Sequence, residues 1–151
     1  MTANSLAAYI VKYSLNKKKP ITNLKLQKLL WFVNLFYYVE KNEFIFEPVN
    51  KNKFQAWTYG PVVPCVYYKY ANAFTYNSIS APLDDCPNSS DFSAIDLTIL
   101  NKILDILIEK SASRLVDLSH IVDSPWFEAM KSEQKDISVE SIIKYTQKLK
   151  G

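Results

Sequence analysis

Cys65, His120 and Asp123 are the side-chain types of a thiol hydrolase, and His120 is the sole histidine of the chain. Any Cys–His or Ser–His machinery therefore has to use it. No nucleophile signature surrounds Cys65, and the plainer reading is that His120 closes a helix and bonds to a backbone group. Metal ligation has two candidate clusters, Asp84-Asp85 and Asp117/His120/Asp123. In the second, Asp117 and His120 lie three apart on one helical face. No second pair completes a coordination sphere, so a local hydrogen bond is the expected use. Phosphate-loop and dinucleotide motifs need several glycines, and the chain has two. Catalysis, metal and cofactor are all disfavoured.

Recognition by contact is a better match to the residues present. The segment from Trp57 to Tyr67 contains Gly60, the one glycine before Gly151, next to Pro61 and close to Val62, Val63 and Pro64. Glycine opens backbone angles closed to other residues, and proline fixes its own φ and restrains its predecessor. The segment is thus expected to form a rigid corner. Trp57, Tyr59 and Tyr67 on that corner, with Pro125 and Trp126 at a helix start, are of the types that supply contact area at low entropic cost. The candidate partner-binding residues are Trp57, Tyr59, Gly60, Pro61, Val62, Tyr67, Pro125 and Trp126. The same residues also suit a plug at the end of a helical bundle.

Composition narrows the partner. With 151 residues, 48% apolar and 22% charged, the chain is expected to form one soluble domain with a substantial core. Its net charge is +3, and Arg114 is the sole arginine. Readers of DNA sequence use clustered arginine, so nucleic acid is disfavoured. Cys65 and Cys86 lack CxxC spacing, and two reduced thiols is a simpler reading than a disulfide. The N-terminal residues carry no secretory pattern, and the apolar run from Leu29 to Val39 is too short to span a bilayer. A cytoplasmic location without a membrane partner is expected.

The elements that must position these residues are mostly helical. Thr2 or Asn4 caps a first helix to about Asn16, ended by Pro20. Thr22 or Asn23 caps a second, Leu24 to about Lys41, apolar nearly all round and so destined for the middle of a bundle. Asn42 is its expected left-handed cap. Residues 44–57 read as a small hairpin or extended arm, and 62–74 as a helix with Pro64 in its first turn. Thr75 to Asp91 reads as a surface loop. Phe92, Ile95, Ile99, Ile103, Ile106 and Leu107 mark an amphipathic helix to about Lys110. Ser111 or Ser113 caps the next, burying Leu115, Leu118 and one of Ile121 and Val122. Ser124-Pro125 starts a short helix to Ser132, and Ser138 starts the last, with Val139, Ile142, Ile143, Thr146 and Leu149 inward. The fold class is mainly α, a compact bundle of six to seven helices with a minor β element.

Three blocks in order resemble a known family. Leu24-Lys25-Leu26-Gln27-Lys28-Leu29-Leu30-Trp31-Phe32 is similar to the LKLQKLLYF helix of the Panacea domain family, and Ala56 to Tyr67 resembles its AWxYGPVVPxVY segment. Leu115, Leu118, His120, Pro125 and Trp126 match its third block, and Ile137, Ile142 and Tyr145 its closing helix. The family includes SocA-like antitoxins and phage-associated GepA-like proteins. The resemblance implies a single antitoxin domain over 1–151 that binds and neutralises a cognate protein toxin encoded nearby. It also implies, as an alternative, an adaptor that delivers the toxin to an ATP-dependent protease. Autoregulation through DNA is not expected, because the family blocks fill the chain. Trp31 replaces the usual tyrosine, Asn42 stands where glycine is frequent, and Cys65 falls at a variable position of the motif.

Overall fold

Every long helix begins on a side chain that accepts from an otherwise unpaired backbone N–H, which is why the boundaries are sharp. The computed structural model describes residues 1–73, 77–84, 86–87 and 91–151. In it α1 (Ala3–Asn16) starts on Thr2 and α2 (Asn23–Lys41) on Thr22. Asn42 closes α2 at φ 57°, the left-handed cap expected in place of glycine. Strands β1 (Gln55–Trp57) and β2 (Gly60–Val62) follow, then α3 (Pro64–Lys69) with Pro64 in its first turn. Asp96, Ser111, Ser124 and Ser138 cap α4 (Leu97–Ile108), α5 (Ala112–Ser119), α6 (Pro125–Ala129) and α7 (Val139–Lys150). The expectations for Phe74, Thr75, Asp85 and 88–90 lie outside the described residues.

The architecture is mainly α, with α2 as the central helix. Its Leu26, Leu29, Leu30, Trp31, Phe32, Val33, Leu35 and Tyr37 are all buried, and α1, α3, α4, α5 and α7 pack around it. Trp31 meets Phe54 edge to face at 5.0 Å, and Phe46 packs on the same ring at 5.7 Å. Truncating one buried leucine of this helix would cost about 2–5 kcal/mol. Asn34 is polar within this core because it binds the chain beyond α2. It accepts from the Ile45 and Phe46 N–H groups at 2.9 and 3.2 Å and donates to the Phe46 carbonyl at 3.0 Å.

The β element is a hairpin with Trp57 opposite Gly60 and Gln55 opposite Val62. Its first strand lies in the expected 44–57 region, and its second is the glycine corner itself. Two-residue hairpin turns favour positive φ. Thr58 and Tyr59 do not supply it, so Gly60 does, at φ 114°. On the other edge of β1, Ala56 N–H donates to Lys135 O at 2.7 Å and Ile137 N–H to Phe54 O at 2.9 Å. The chain leaving α6 thus lines up beside the hairpin.

Some expected faces are turned. The buried side of α4 is Leu100, Leu104, Leu107 and Ile108, whereas Ile106 is 57% exposed and Ile99 and Ile103 are half-buried. Isoleucines and leucines both recur there at helical spacing, so periodicity alone does not choose between them. Tyr9 donates to Asn101 at 2.6 Å and Tyr13 to Asp105, which sets the roll of α4 against α1. Ile121 and Val122 lie beyond the end of α5 and are both exposed, and Leu149 is exposed in the last turn of α7.

Candidate functional site

The glycine corner is held from below by three polar side chains of α2. Asn23 and Gln27, four apart, share one helical face, and Lys28 follows. All three are completely buried. Gln27 accepts from Val63 N–H at 3.0 Å and donates to Asn23 Oδ1 at 2.9 Å. Asn23 donates to Tyr67 O at 2.9 Å, and Lys28 Nζ donates to Pro61 O at 2.6 Å. Buried polar groups carry a large penalty unless paired, so these bonds dictate the path from Pro61 to Tyr67. Lys28 has no ion-pair partner among the described residues, and burial pushes its ammonium down to about 7.

Gly60 sits directly over this lysine. A Cβ there would lie 2.5 Å from Ser119 Oγ and 2.8 Å from Lys28 Cε. Glycine is therefore required twice, for its positive φ and for lack of room. Residue 60 is where β2, α2 and α5 meet.

The eight expected site residues divide into two groups. Gly60, Pro61, Val62 and Pro125 are buried. Trp57, Tyr67 and Trp126 are half-buried, and Tyr59 is 53% exposed. Trp126 is fixed on both sides. Its indole N–H donates to Trp57 O at 2.7 Å, and its ring stacks on His120 at 3.8 Å with planes 11° apart. Trp57 donates to Gln55 Oε1 at 3.1 Å and meets Tyr67 edge to face at 4.8 Å. Exposed Tyr68 stands beside Tyr67 at 5.2 Å.

Between these rings and α6 lies a groove of about 400 Å³ lined by Ala56, Trp57, Thr58, Tyr59, Tyr67, Met130 and Lys135. A second cleft, about 480 Å³, lies between α6 and α7, with Asp123, Glu128, Lys144 and Lys148 on its walls. It has mixed charge and offers one aromatic ring, Tyr145. The first groove is the better candidate for an apolar contact.

The alternative chemistry is not assembled. Cys65 donates to Lys51 O at 3.1 Å and receives Asn4 at 3.9 Å, with no hydrogen bond to His120. Burial raises its thiol above the ordinary range, away from the thiolate a nucleophile needs. His120 closes α5 as expected. Its side chain does not reach a backbone partner through Nε2, however, which is buried and unbonded. Burial and the Lys28 charge hold the imidazole below its usual range, opposed by Asp117. Among the described residues no group of three or more His, Cys, Asp or Glu side chains could hold a metal, and no helix is long and apolar enough to cross a membrane.

Sequence reasoning selected the aromatic residues but overlooked Asn23, Gln27 and Lys28. A signal was present: Asn23, Gln27 and Lys28 lie in a helix whose apolar residues leave few solvent-facing positions. Once buried, they need hydrogen-bond partners.

Comparison with known proteins places this geometry. The family model "Antitoxin SocA-like, Panacea domain" matches residues 26–127, from the middle of the α2 block to the Pro125-Trp126 turn. Among curated proteins, Antitoxin SocA of Caulobacter vibrioides (strain NA1000 / CB15N) is 30% identical over 118 residues. That alignment takes in 71% of this chain and 58% of the relative, so the chain spans little more than half of that protein's length. No solved structure matches. The match embraces the central helix, the glycine corner and the tryptophan that closes it, and the chain belongs to the SocA-like antitoxin, Panacea domain family.

Proposed function

We propose that this chain is a non-enzymatic, cytoplasmic antitoxin that neutralises a cognate protein toxin by direct binding. The observation that carries this reading is the aromatic groove in a chain of this family. Tyr59 is exposed and Trp57 and Tyr67 are half-buried, beside backbone that α2 ties down at Pro61, Val63 and Tyr67. Preorganised aromatic side chains lose little entropy on binding, so affinity concentrates in them. Gly60, Pro61, Val62 and Pro125 act from beneath and do not touch the toxin. Trp126 acts through its bond to Trp57 O.

The test is co-expression with the product of the neighbouring gene. Trp57→Ala and Tyr59→Ala are expected to abolish rescue of growth and co-purification while the chain stays folded. Retained rescue by both variants would overturn docking at this surface. The same assay in cells lacking the ATP-dependent proteases separates two modes of action. Rescue persists there if binding alone neutralises the toxin, and fails if the chain is an adaptor for degradation.

A further inference from the structure

We propose that the groove selects a partner segment in which an apolar side chain is flanked by a carboxylate. The inference rests on the docking reading above and names the chemistry of the docked segment.

The interior of the groove is apolar. Ala56 and Met130 line it together with the rings of Trp57, Tyr59 and Tyr67. Its volume of about 400 Å³ takes one or two large side chains. The indole donors at this place are spent inside the protein, Trp57 on Gln55 and Trp126 on Trp57 O. A charged lining residue is a further feature by which the groove tells partner segments apart.

The charged residue among the lining side chains is Lys135. Its backbone is pinned, because Ala56 N–H donates to Lys135 O at 2.7 Å. Its ammonium bonds to two carbonyls, Met130 O at 2.9 Å and Ser132 O at 3.4 Å, and these cancel none of its charge. Nearby lysines are compensated: Lys53 pairs with Asp136 at 3.0 Å and Lys131 with Glu128 at 3.6 Å. Asp136, next to Lys135 in the chain, is held by Lys53 and by Gln55 at 3.1 Å. Lys135 has no carboxylate within ion-pair distance among the described residues.

An aromatic groove could otherwise prefer a cation, through attraction to the ring faces. A fixed ammonium at the rim opposes that occupant, since like charges brought together at an interface are strongly disfavoured. A carboxylate beside the apolar anchor meets the opposite situation. It finds a cation already ordered and half-exposed, and pairs without burying either charge.

Two acetylated, amidated tripeptides test this directly, Asp-Phe-Asp and Lys-Phe-Lys, titrated at millimolar concentration into the whole chain. The Trp57 indole N–H and the Met130 methyl report occupancy by NMR. The acidic peptide is expected to bind about fivefold or more tightly than the basic one at low salt, with the gap closing at high salt. Lys135→Gln should erase the preference and Lys135→Arg should keep it. Arginine also guards against a merely structural effect of altering this turn. Equal or tighter binding of the basic peptide, no shift with either peptide, or an unchanged preference in Lys135→Gln each overturns the inference. Toxin rescue separates this from the docking reading. If Trp57→Ala loses rescue but no acidic preference exists, only the partner chemistry is wrong. If Trp57→Ala and Tyr59→Ala both keep rescue, docking itself is wrong.

Discussion

Gly60 to Val63 and Trp57 to Tyr59 are neighbours in the chain and meet opposite environments. The first group is buried, crowded against Ser119 and bonded to Gln27 and Lys28. The second reaches the surface, where Tyr59 is 53% exposed and Trp57 edges a groove. A single family motif thus joins a buried scaffold half to a surface half. On the proposed docking reading, the surface half is where partner choice has room to vary.

Substitution at Gly60 breaks this division most severely. Gly60→Ala combines a positive φ with a 2.5 Å clash and is expected to cost about 3 kcal/mol or more, or to prevent folding. Urea denaturation measures it, and a loss below about 1 kcal/mol would show that the corner yields.

Lys28 gives the next largest effect, through pH. The unfolded lysine titrates near 10.4 and the folded one at about 7. Between those values the unfolded state holds more protons, so stability rises with pH. The rise is fully present above the unfolded value and lost as pH falls toward 7. From pH 7 to pH 9 it should be roughly 2 kcal/mol by denaturant titration. Lys28→Met should flatten the profile, and an equal slope in the variant would assign the rise to other groups.

Trp126→Phe tests the link between the halves. It removes the bond to Trp57 O but keeps a ring against His120. A loss of about 1 kcal/mol is expected, with altered chemical shifts at Trp57. Tyr59→Ala should change stability least, by no more than about 0.5 kcal/mol, as an exposed side chain does. Toxin affinity should nonetheless fall about 30-fold or more. A large stability loss with unchanged affinity would move Tyr59 into the scaffold half.

Helix existence was legible in the sequence because caps and apolar spacing act locally. Thr22, Asn42, Ser111, Ser124 and Ser138 hold the cap positions expected of them. Helix faces were less legible. In α4 Leu100, Leu104, Leu107 and Ile108 turned inward, rather than Ile99, Ile103 and Ile106, because the tyrosines of α1 bind Asn101 and Asp105. Of the candidate site, the sequence singled out Trp57, Tyr59, Tyr67 and Trp126, but not which of the eight candidates reach the surface. Pro125 and Val62 have the same apolar character as an interface residue and are buried.

By itself the sequence determined that a rigid corner exists at Gly60-Pro61, since glycine and proline act on their own dihedral angles. It also determined the family, because three motif blocks occur in order. Only the tertiary structure decided what the corner rests on and which of its residues remain open. Lys28 and Gly60 are 32 residues apart in the chain, and nothing local brings an ammonium beneath a glycine. Burying the apolar sides of α2 carries Asn23, Gln27 and Lys28 inward with them, and their need for partners then shapes the chain above.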